Sequence, residues 1–132
     1  MSSSSMKIST ENDIFLALHK VRLLMNQLGF SEMDKQKVIV TVSELTRNIL
    51  DHAGADGSFA CEPVDNLGVR MTFQDNGGGI VDVERILNGE RPASFTGLGL
   101  GLAGAKRMMD EFRITTSKEG TSIVCSKWKR YG

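Results

Sequence analysis

The chain has 132 residues, and its sixteen basic and sixteen acidic side chains give a formal net charge of zero. This length predicts one domain, residues 1–132, with residues 1–5 as a disordered serine-rich tail. The charge balance argues against a general binder of nucleic acids or membrane surfaces, since such proteins carry a basic excess. No apolar run approaches the roughly 20 residues that a membrane-spanning helix needs.

Cysteine and histidine are too few to predict a structural metal site. The chain has two cysteines, Cys61 and Cys125, without a CxxC pair, and two histidines, His19 and His52. A Cys/His zinc site is therefore not expected. With no signal peptide visible, a cytoplasmic protein with free thiols is the simplest interpretation.

The first half of the chain predicts two helices. Residues Glu11–Leu28 place apolar side chains at a 3.6-residue spacing, and Gly29 ends the pattern. The second helix follows the capping residue Ser31 and runs from position 32 or 33 to about His52. Both apolar stripes are typical of helices that pack on a core.

Alternating apolar residues and turn signals predict strands. Ser58–Val64 and Val69–Gln74 form an antiparallel hairpin, and Arg113–Ser117 and Thr121–Trp128 form a second one. A short strand around 6–8 is left open. Between the hairpins the sequence predicts a short helical turn at 83–87, a mobile polar loop at 88–96 and a helix at 100–112.

Glycines cluster immediately before and inside the predicted helix 100–112. Gly97, Gly99 and Gly101 offer backbone N–H groups where the helix starts, and the helix dipole favours an anion there. The pattern G-x-G-x-x-G from Gly99 is a dinucleotide fingerprint only after a buried strand, and none precedes it here. A glycine-rich hinge is the alternative.

A second glycine cluster follows Asp75 at the end of a predicted strand. Its carboxylate can accept a hydrogen bond from the exocyclic amine of adenine. Gly77 and Gly79 leave room for a flat base against the backbone. An Asp–Gly turn with no ligand is the alternative.

Glu44 and Asn48 are four residues apart, so they share one face of the second helix. A carboxylate can take a proton from a hydroxyl group, and an amide oxygen suits Mg²⁺. His52, one turn further along, fits packing better than catalysis. A solvated helix face is the alternative interpretation.

The three motifs, Ser43 to His52, Asp75 to Gly79 and Thr96 to Gly101, resemble the N box and the two glycine boxes of the GHKL superfamily, which includes gyrase, MutL and histidine kinases. The segments SELTRNI, GLAGAKRMMDEF and EGTSIVCSKWKR resemble its anti-sigma-factor serine/threonine kinases, and the resemblance covers all but the serine tract. It implies an α/β (α+β) two-layer sandwich, with a mixed, mainly antiparallel sheet and helices on one face.

The resemblance also implies roles for single residues. Glu44 would be the general base, Asn48 would hold Mg²⁺, and Asp75 would bind the adenine amine. Gly77 and Gly79 would shape the base pocket, and the loop 88–96 would be the lid over ATP. The residues expected along the phosphates are Thr96, Gly97, Leu98, Gly99, Leu100 and Gly101.

The implied function is an ATP-dependent protein serine/threonine kinase that acts as a switch in bacterial stress signalling. Its expected partners are STAS-domain antagonist proteins and a serine phosphatase or sigma-pathway regulator, with no direct nucleic acid and no membrane. The protein would be a monomer or a homodimer. The alternatives are a nucleotide-dependent module that sequesters a partner with little catalysis, and a dinucleotide oxidoreductase.

Overall fold

The computed structural model describes residues 4–52, 56–79, 87–88 and 99–129. Five strands and three helices follow one another in these residues. They are β1 (Ser4–Ile8), α1 (Glu11–Leu28), α2 (Glu32–His52), β2 (Gly57–Val64), β3 (Gly68–Asp75), α3 (Gly99–Met108), β4 (Glu111–Ser117) and β5 (Gly120–Trp128). The two long helices and the four predicted strands are confirmed.

The strands form one sheet in the order β1-β2-β3-β5-β4. Every described pair is antiparallel, so the expected mixed sheet is antiparallel throughout the part of the chain that the structure describes. Side chains alternate between its two faces. One face carries buried residues such as Phe59 and Phe73, whose rings lie 5.2 Å apart between centroids. The opposite face is polar, as Gln74 and Arg113 illustrate.

The three helices make one layer on the apolar face of the sheet. Helices α1 and α2 contact β1, β2 and β3 as well as each other, and α3 packs against α2 and β4. The apolar stripes that the sequence predicted are buried between these layers. They include Ile14, Val21, Met25 and Leu28 of α1 and Val38, Val42, Leu45 and Ile49 of α2. The expected two-layer sandwich with helices on one face is confirmed.

Local sequence signals fix both ends of α1. Thr10 is the N-cap: its hydroxyl accepts from the Asp13 amide at 3.3 Å, while the Asp13 carboxylate accepts from the Thr10 amide at 3.0 Å. This reciprocal capping box satisfies two amides that a helix start leaves free. Gly29 ends the helix in the left-handed conformation, with φ of 81°. None of the described helices is long and apolar enough to cross a membrane.

Two predicted boundaries differ from the structure. Strand β1 takes in Ser4 and Ser5, which the sequence placed in the disordered tail, because they pair with β2. Helix α3 ends at Met108 and not at the predicted residue 112. Just beyond it, the Asp110 amide donates to Ser126 and the Asp110 carboxylate accepts from the Trp128 amide at 2.7 Å. These bonds to β5 turn the chain into β4 at Glu111.

Candidate functional site

Helix α2 presents the two polar residues that the sequence singled out. Glu44 is exposed and Asn48 is half-buried one turn further along. Their positions are set by the opposite face of the helix, whose Val42, Leu45 and Ile49 are at most 4% exposed. Because that stripe is fixed in the core, the side chains of Glu44 and Asn48 point away from it at a defined angle.

The start of α3 lies directly against Glu44. A Cβ atom added to Gly101 would stand 2.9 Å from the Glu44 Oε2 atom and 3.7 Å from its Cβ and Cδ atoms. Gly99 and Leu100 form the first helical residues beside it. The first turn of a helix has backbone N–H groups without an intrahelical partner, and these favour an anion. The structure thus brings the Glu44 carboxylate beside a helix N-terminus.

Asp75 is the last residue of β3 and is half-buried. Its Oδ1 atom accepts a hydrogen bond from the Gly77 amide at 2.9 Å, which folds the chain into a tight turn. The Oδ2 atom has no hydrogen-bond partner among the described residues, so it can still accept one from a ligand. By alternation, Asp75 shares the helix-facing side of β3 with the buried residues Met71 and Phe73.

Helix α2 passes over the end of the strand that carries Asp75. Asp75 pairs with Gly57 of β2, and the Ile49 side chain occupies the space that a Gly57 side chain would need. Ile49 is the neighbour of Asn48, so the same helix touches the Asp75 end of the sheet and, at Glu44, the first turn of α3. Glu44, Asp75 and Gly101 therefore lie on one side of the sheet.

Gly79 has a conformational reason to be glycine. Its φ of 87° is in the left-handed region, and a side chain there would collide with the backbone carbonyl of Ser117. This close approach joins the turn after β3 to the end of β4. Gly77 is buried. The turn that follows Asp75 is thus held by both its glycines and its carboxylate.

Several predicted residues lie outside the described part of the chain. Thr96, Gly97 and Leu98 are among them, as are the predicted lid 88–96 apart from Asn88 and the helical turn 83–87 apart from Leu87. Of Leu100 and His52 the structure describes the helical backbone alone. The predicted roles of these residues stay predictions.

A pre-formed metal cage does not occur among the described residues, which contain no cluster of three or more His, Cys, Asp or Glu side chains. Mg²⁺ does not need one, since it keeps several waters and is held mainly by nucleotide phosphates and one or two protein oxygens. The Asn48 amide oxygen, one helical turn from Glu44, is an oxygen ligand of the kind that Mg²⁺ takes. The residues present fit a phosphate-bound Mg²⁺.

The two cysteines are free, as the sequence predicted, and both are buried. Burial raises the pKa of the Cys125 thiol to about 12 and also raises that of Cys61. A thiol is reactive as its thiolate, so a raised pKa lowers the reactivity of both groups. Both side chains instead fill the core.

Arg47, next to Asn48, is occupied by another contact. Its two terminal nitrogens donate to the two carboxylate oxygens of Glu11, each at 2.9 Å. These hydrogen bonds hold the pKa of Glu11 below its ordinary value. The pair ties the start of α1 to the middle of α2.

Sequence reasoning missed a groove between α2 and α3. It has a volume of about 250 Å³ and is lined by Val40, Thr41, Glu44, Gly101, Gly104, Ala105 and Met108. Val40 and Glu44 are four apart, as are Gly104 and Met108, so each pair faces the same way. The spacing alone was available in the sequence, but the pairing of the two helices was not.

A larger open cavity of about 470 Å³ lies at the strand ends beside Asp75. Its lining comes from both faces of the sheet: Lys7 and Gln74 lie on the polar face, whereas Met6 and Asp75 lie on the helix-facing side. No described residue of α2 or α3 lines it. We therefore do not assign it to the phosphate end of the candidate site.

Comparisons with known proteins agree with this architecture. Residues 9–127 match the family model described as a histidine kinase-like ATPase domain. The chain is 37% identical over 131 residues to the serine/threonine-protein kinase RsbT of Bacillus subtilis, and the match covers 96% of this chain and 97% of that protein.

Solved structures show the same fold at lower identity. The RsbU and RsbW domains of Rv1364c from Mycobacterium tuberculosis match with a TM-score of 0.71 and 17% identity over 100% of this chain, which spans only 34% of that one. A mycobacterial sensor histidine kinase, MprB, matches with a TM-score of 0.58 and 20% identity, covering 99% of this chain and 100% of that one. The catalytic domain of the histidine kinase ThkA gives 0.57 and 14%, covering 98% of this chain and 97% of that one.

Proposed function

Because this chain belongs to the histidine kinase-like ATPase family, in its group of anti-sigma-factor serine/threonine kinases, we propose that it transfers the γ-phosphoryl group of ATP to a serine or threonine of a STAS-domain antagonist. The single observation that supports this most is the contact between Glu44 and the first turn of α3. It supports the proposal because the Glu44 carboxylate lies beside a helix N-terminus, which is a site that favours a phosphate group.

The chemistry requires few protein groups. The acceptor hydroxyl oxygen attacks the γ-phosphorus, and a new O–P bond forms as the bond from that phosphorus to the β–γ bridging oxygen breaks. Glu44 accepts the hydroxyl proton, and ADP leaves with the bridging oxygen. Such a transfer depends mainly on positioning and on stabilising charge on the phosphoryl oxygens. The amides at the start of α3 supply that stabilisation.

The remaining predicted residues bind the nucleotide. The Asp75 Oδ2 atom, which has no hydrogen-bond partner among the described residues, would accept from the adenine amine. Gly77 and Gly79 would shape the turn beside the base, with Gly79 packed against the Ser117 carbonyl. Asn48 would hold Mg²⁺ together with the phosphates. When bound, Mg²⁺ neutralises phosphate charge and orients the oxygens.

The proposed role is that of a switch between two partners. Phosphorylation of the STAS antagonist would weaken its hold on the kinase, and the released kinase would bind a serine phosphatase or another regulator of the sigma-factor pathway. The nearly full-length similarity to RsbT supports this proposal. The level of active kinase, set by its antagonist, would then determine the output.

The decisive variant is Glu44→Gln, which keeps the size of the side chain but cannot accept the proton. Nucleotide binding, measured by calorimetry with Mg·ATP, should change less than about threefold. Phosphoryl transfer should fall about 10²- to 10⁴-fold, which is the range for loss of a general base. Glu111→Gln, an exposed site on the edge strand β4, is the matched control and should transfer at the wild-type rate.

The measurement is intact mass of a STAS-domain protein from the native host after incubation with the kinase and Mg·ATP. A gain of one phosphate with wild-type protein and none with Glu44→Gln is the expected result. Transfer at wild-type rate by Glu44→Gln would reject Glu44 as the base. A stable complex with no added phosphate would favour the sequestering module instead.

A further inference from the structure

The groove between α2 and α3 starts at Glu44 and Gly101 and extends beyond them to Val40, Gly104 and Met108, three residues to which the proposed nucleotide chemistry gives no role. Its outer walls are apolar, with Val40 41% exposed on α2 and Met108 half-buried on α3. Its floor includes Thr41, whose hydroxyl already donates to the Lys37 carbonyl at 2.9 Å. The floor therefore offers no free hydroxyl donor, and the groove suits an aliphatic side chain.

The missing side chain at Gly104 keeps this groove open. A Cβ atom there would meet only the Met108 Cε atom, at 3.9 Å, which is an ordinary contact. Packing of the helix therefore does not require glycine at this position. Glycine in a helix interior costs about 0.5–1 kcal/mol relative to alanine. Its presence at 104 is better explained by the space it leaves than by the stability of α3.

One end of the groove is Glu44. The carboxylate touches Gly101 and has no hydrogen bond or ion pair among the described residues. Val40 lies one helical turn away, about 6 Å along α2. A segment whose hydroxyl meets Glu44 would thus run directly into the apolar part of the groove.

We propose that this groove binds an aliphatic side chain of the protein substrate, two residues from the serine or threonine that receives phosphate. An extended peptide rises about 3.3 Å per residue, so two residues span about the distance from Glu44 to Val40. Residues two apart in an extended segment also project to the same side. This inference rests on the proposed kinase function and adds a substrate preference to it.

The groove fits a single side chain better than a second copy of the protein. A stable protein–protein interface takes about 20–30 residues from each side, whereas seven of the described residues line this groove. The groove is also continuous with the candidate catalytic site, because Glu44 belongs to that site and lines the groove. A short substrate segment is the occupant that satisfies both observations.

The test begins with the phosphorylation site itself. The STAS-domain protein that gains phosphate is digested, and the modified residue is located by mass spectrometry. We expect Val, Leu, Ile or Met two positions to one side of it. A polar residue on both sides would overturn the proposal at once, and absence of phosphate on any STAS protein would overturn the kinase function with it.

Two variants of the kinase then test the groove. Val40→Gln should raise the KM for this STAS protein about tenfold, because one aliphatic contact is lost. Gly104→Ala should raise the same KM several-fold while the melting temperature stays equal or rises. In both variants, the KM for ATP and kcat at saturating protein should stay within about twofold of wild type.

The matched control is Leu23→Gln, an equally exposed apolar residue of α1 at 49%, on a helix away from the groove. Its KM for the STAS protein should equal that of wild type. Replacing the aliphatic residue of the substrate by serine should raise the KM for wild-type kinase and change it little for Val40→Gln. Unchanged KM in Val40→Gln, with normal transfer, would reject the groove and leave the kinase function standing.

Discussion

At the residue scale, two glycines of α3 shape the candidate site by the side chains that they lack. Gly101 and Gly104 lie on the same face of α3, yet their surroundings differ. A Cβ atom added to Gly101 would lie 2.9 Å from the Glu44 carboxylate. A Cβ atom added to Gly104 would meet only the Met108 Cε atom, at 3.9 Å. Gly101 thus gives the Glu44 carboxylate room beside α3, and Gly104 keeps the neighbouring groove open.

Gly101→Ala should displace the Glu44 carboxylate without unfolding the protein. The colliding atom is the far end of an exposed, flexible side chain, and alanine favours the helix by about 0.5–1 kcal/mol. The expected result is an equal or higher melting temperature together with at least a tenfold lower kcat for phosphoryl transfer. Calorimetric unfolding and single-turnover transfer to the STAS protein measure the two effects.

Gly104→Ala is the natural comparison, since it adds the same methyl group one turn along α3. It should leave kcat near that of wild type. Equal loss of kcat in both variants would show that any methyl group on this face disturbs the site. The specific contact between Gly101 and Glu44 would then have no special role.

A buried charge cluster connects the elements at the other end of the helix layer. Lys127 of β5 is 3% exposed, and its Nζ atom donates to the Met108 carbonyl at the end of α3, at 2.9 Å. The Asp34 and Asp110 carboxylates lie 3.9 and 3.7 Å away. One lysine thus joins the start of α2, the end of α3 and the sheet.

Lys127→Met should be strongly destabilising. Methionine fills a similar volume but leaves Asp34 buried without its positive neighbour, and the Asp34 Oδ2 atom already has no hydrogen-bond partner among the described residues. Breaking a buried pair in this way costs about 3–5 kcal/mol. Urea unfolding of the variant measures the loss, with the exposed Lys118→Met expected within about 0.5 kcal/mol of wild type.

A second substitution separates charge from packing. Adding Asp34→Asn to Lys127→Met removes the uncompensated charge and should recover part of the stability. If the double variant is less stable than Lys127→Met by the full cost of a separate substitution, the two residues are not coupled. The cluster would then act through packing alone.

Sequence patterns predicted the elements where local signals dominate. The apolar stripes of α1 and α2, and Gly29 at the end of α1, are encoded within a few residues. The N-cap of α1 is Thr10, where the sequence favoured Asn12 or Asp13, because the Asp13 carboxylate accepts from the Thr10 amide as the second half of a capping box. The end of α3 is different. It depends on bonds from Asp110 to residues 126 and 128, which are distant in sequence, so periodicity extended the helix to 112.

The residues of the candidate site were predictable from local motifs, whereas the contacts between them were not. The motifs identified Glu44, Asn48 and Asp75, because those residue types at those spacings match the chemistry of a nucleotide. The contact of Glu44 with Gly101 and the groove beside it arise from the crossing of α2 and α3. Such a crossing is tertiary information, which a local pattern does not contain.

At the scale of the whole molecule, the proposed nucleotide site would draw on three separate elements: α2, the end of β3 and the start of α3. A ligand that binds only the folded state stabilises it by about 2.7 kcal/mol at a hundredfold excess over its Kd. For a domain of this size the melting temperature should rise by roughly 8 °C or more. The size of this shift therefore reports whether a given residue contributes to the nucleotide site.

Asp75→Asn should remove that shift while leaving the free protein intact. The asparagine oxygen can still accept from the Gly77 amide, so the turn after β3 is kept. Its amide nitrogen, however, places a donor opposite the donating amine of adenine. The melting temperature without nucleotide should change by only a few degrees, and the rise with Mg·ADP should disappear.

The matched control is Asp65→Asn. Asp65 is exposed in the β2–β3 turn with φ of 53°, a conformation that asparagine tolerates, so this variant should keep the full shift in melting temperature. A full shift in Asp75→Asn would mean that adenine is held elsewhere, and the arrangement of the nucleotide between α2 and the two glycine clusters would have to be abandoned.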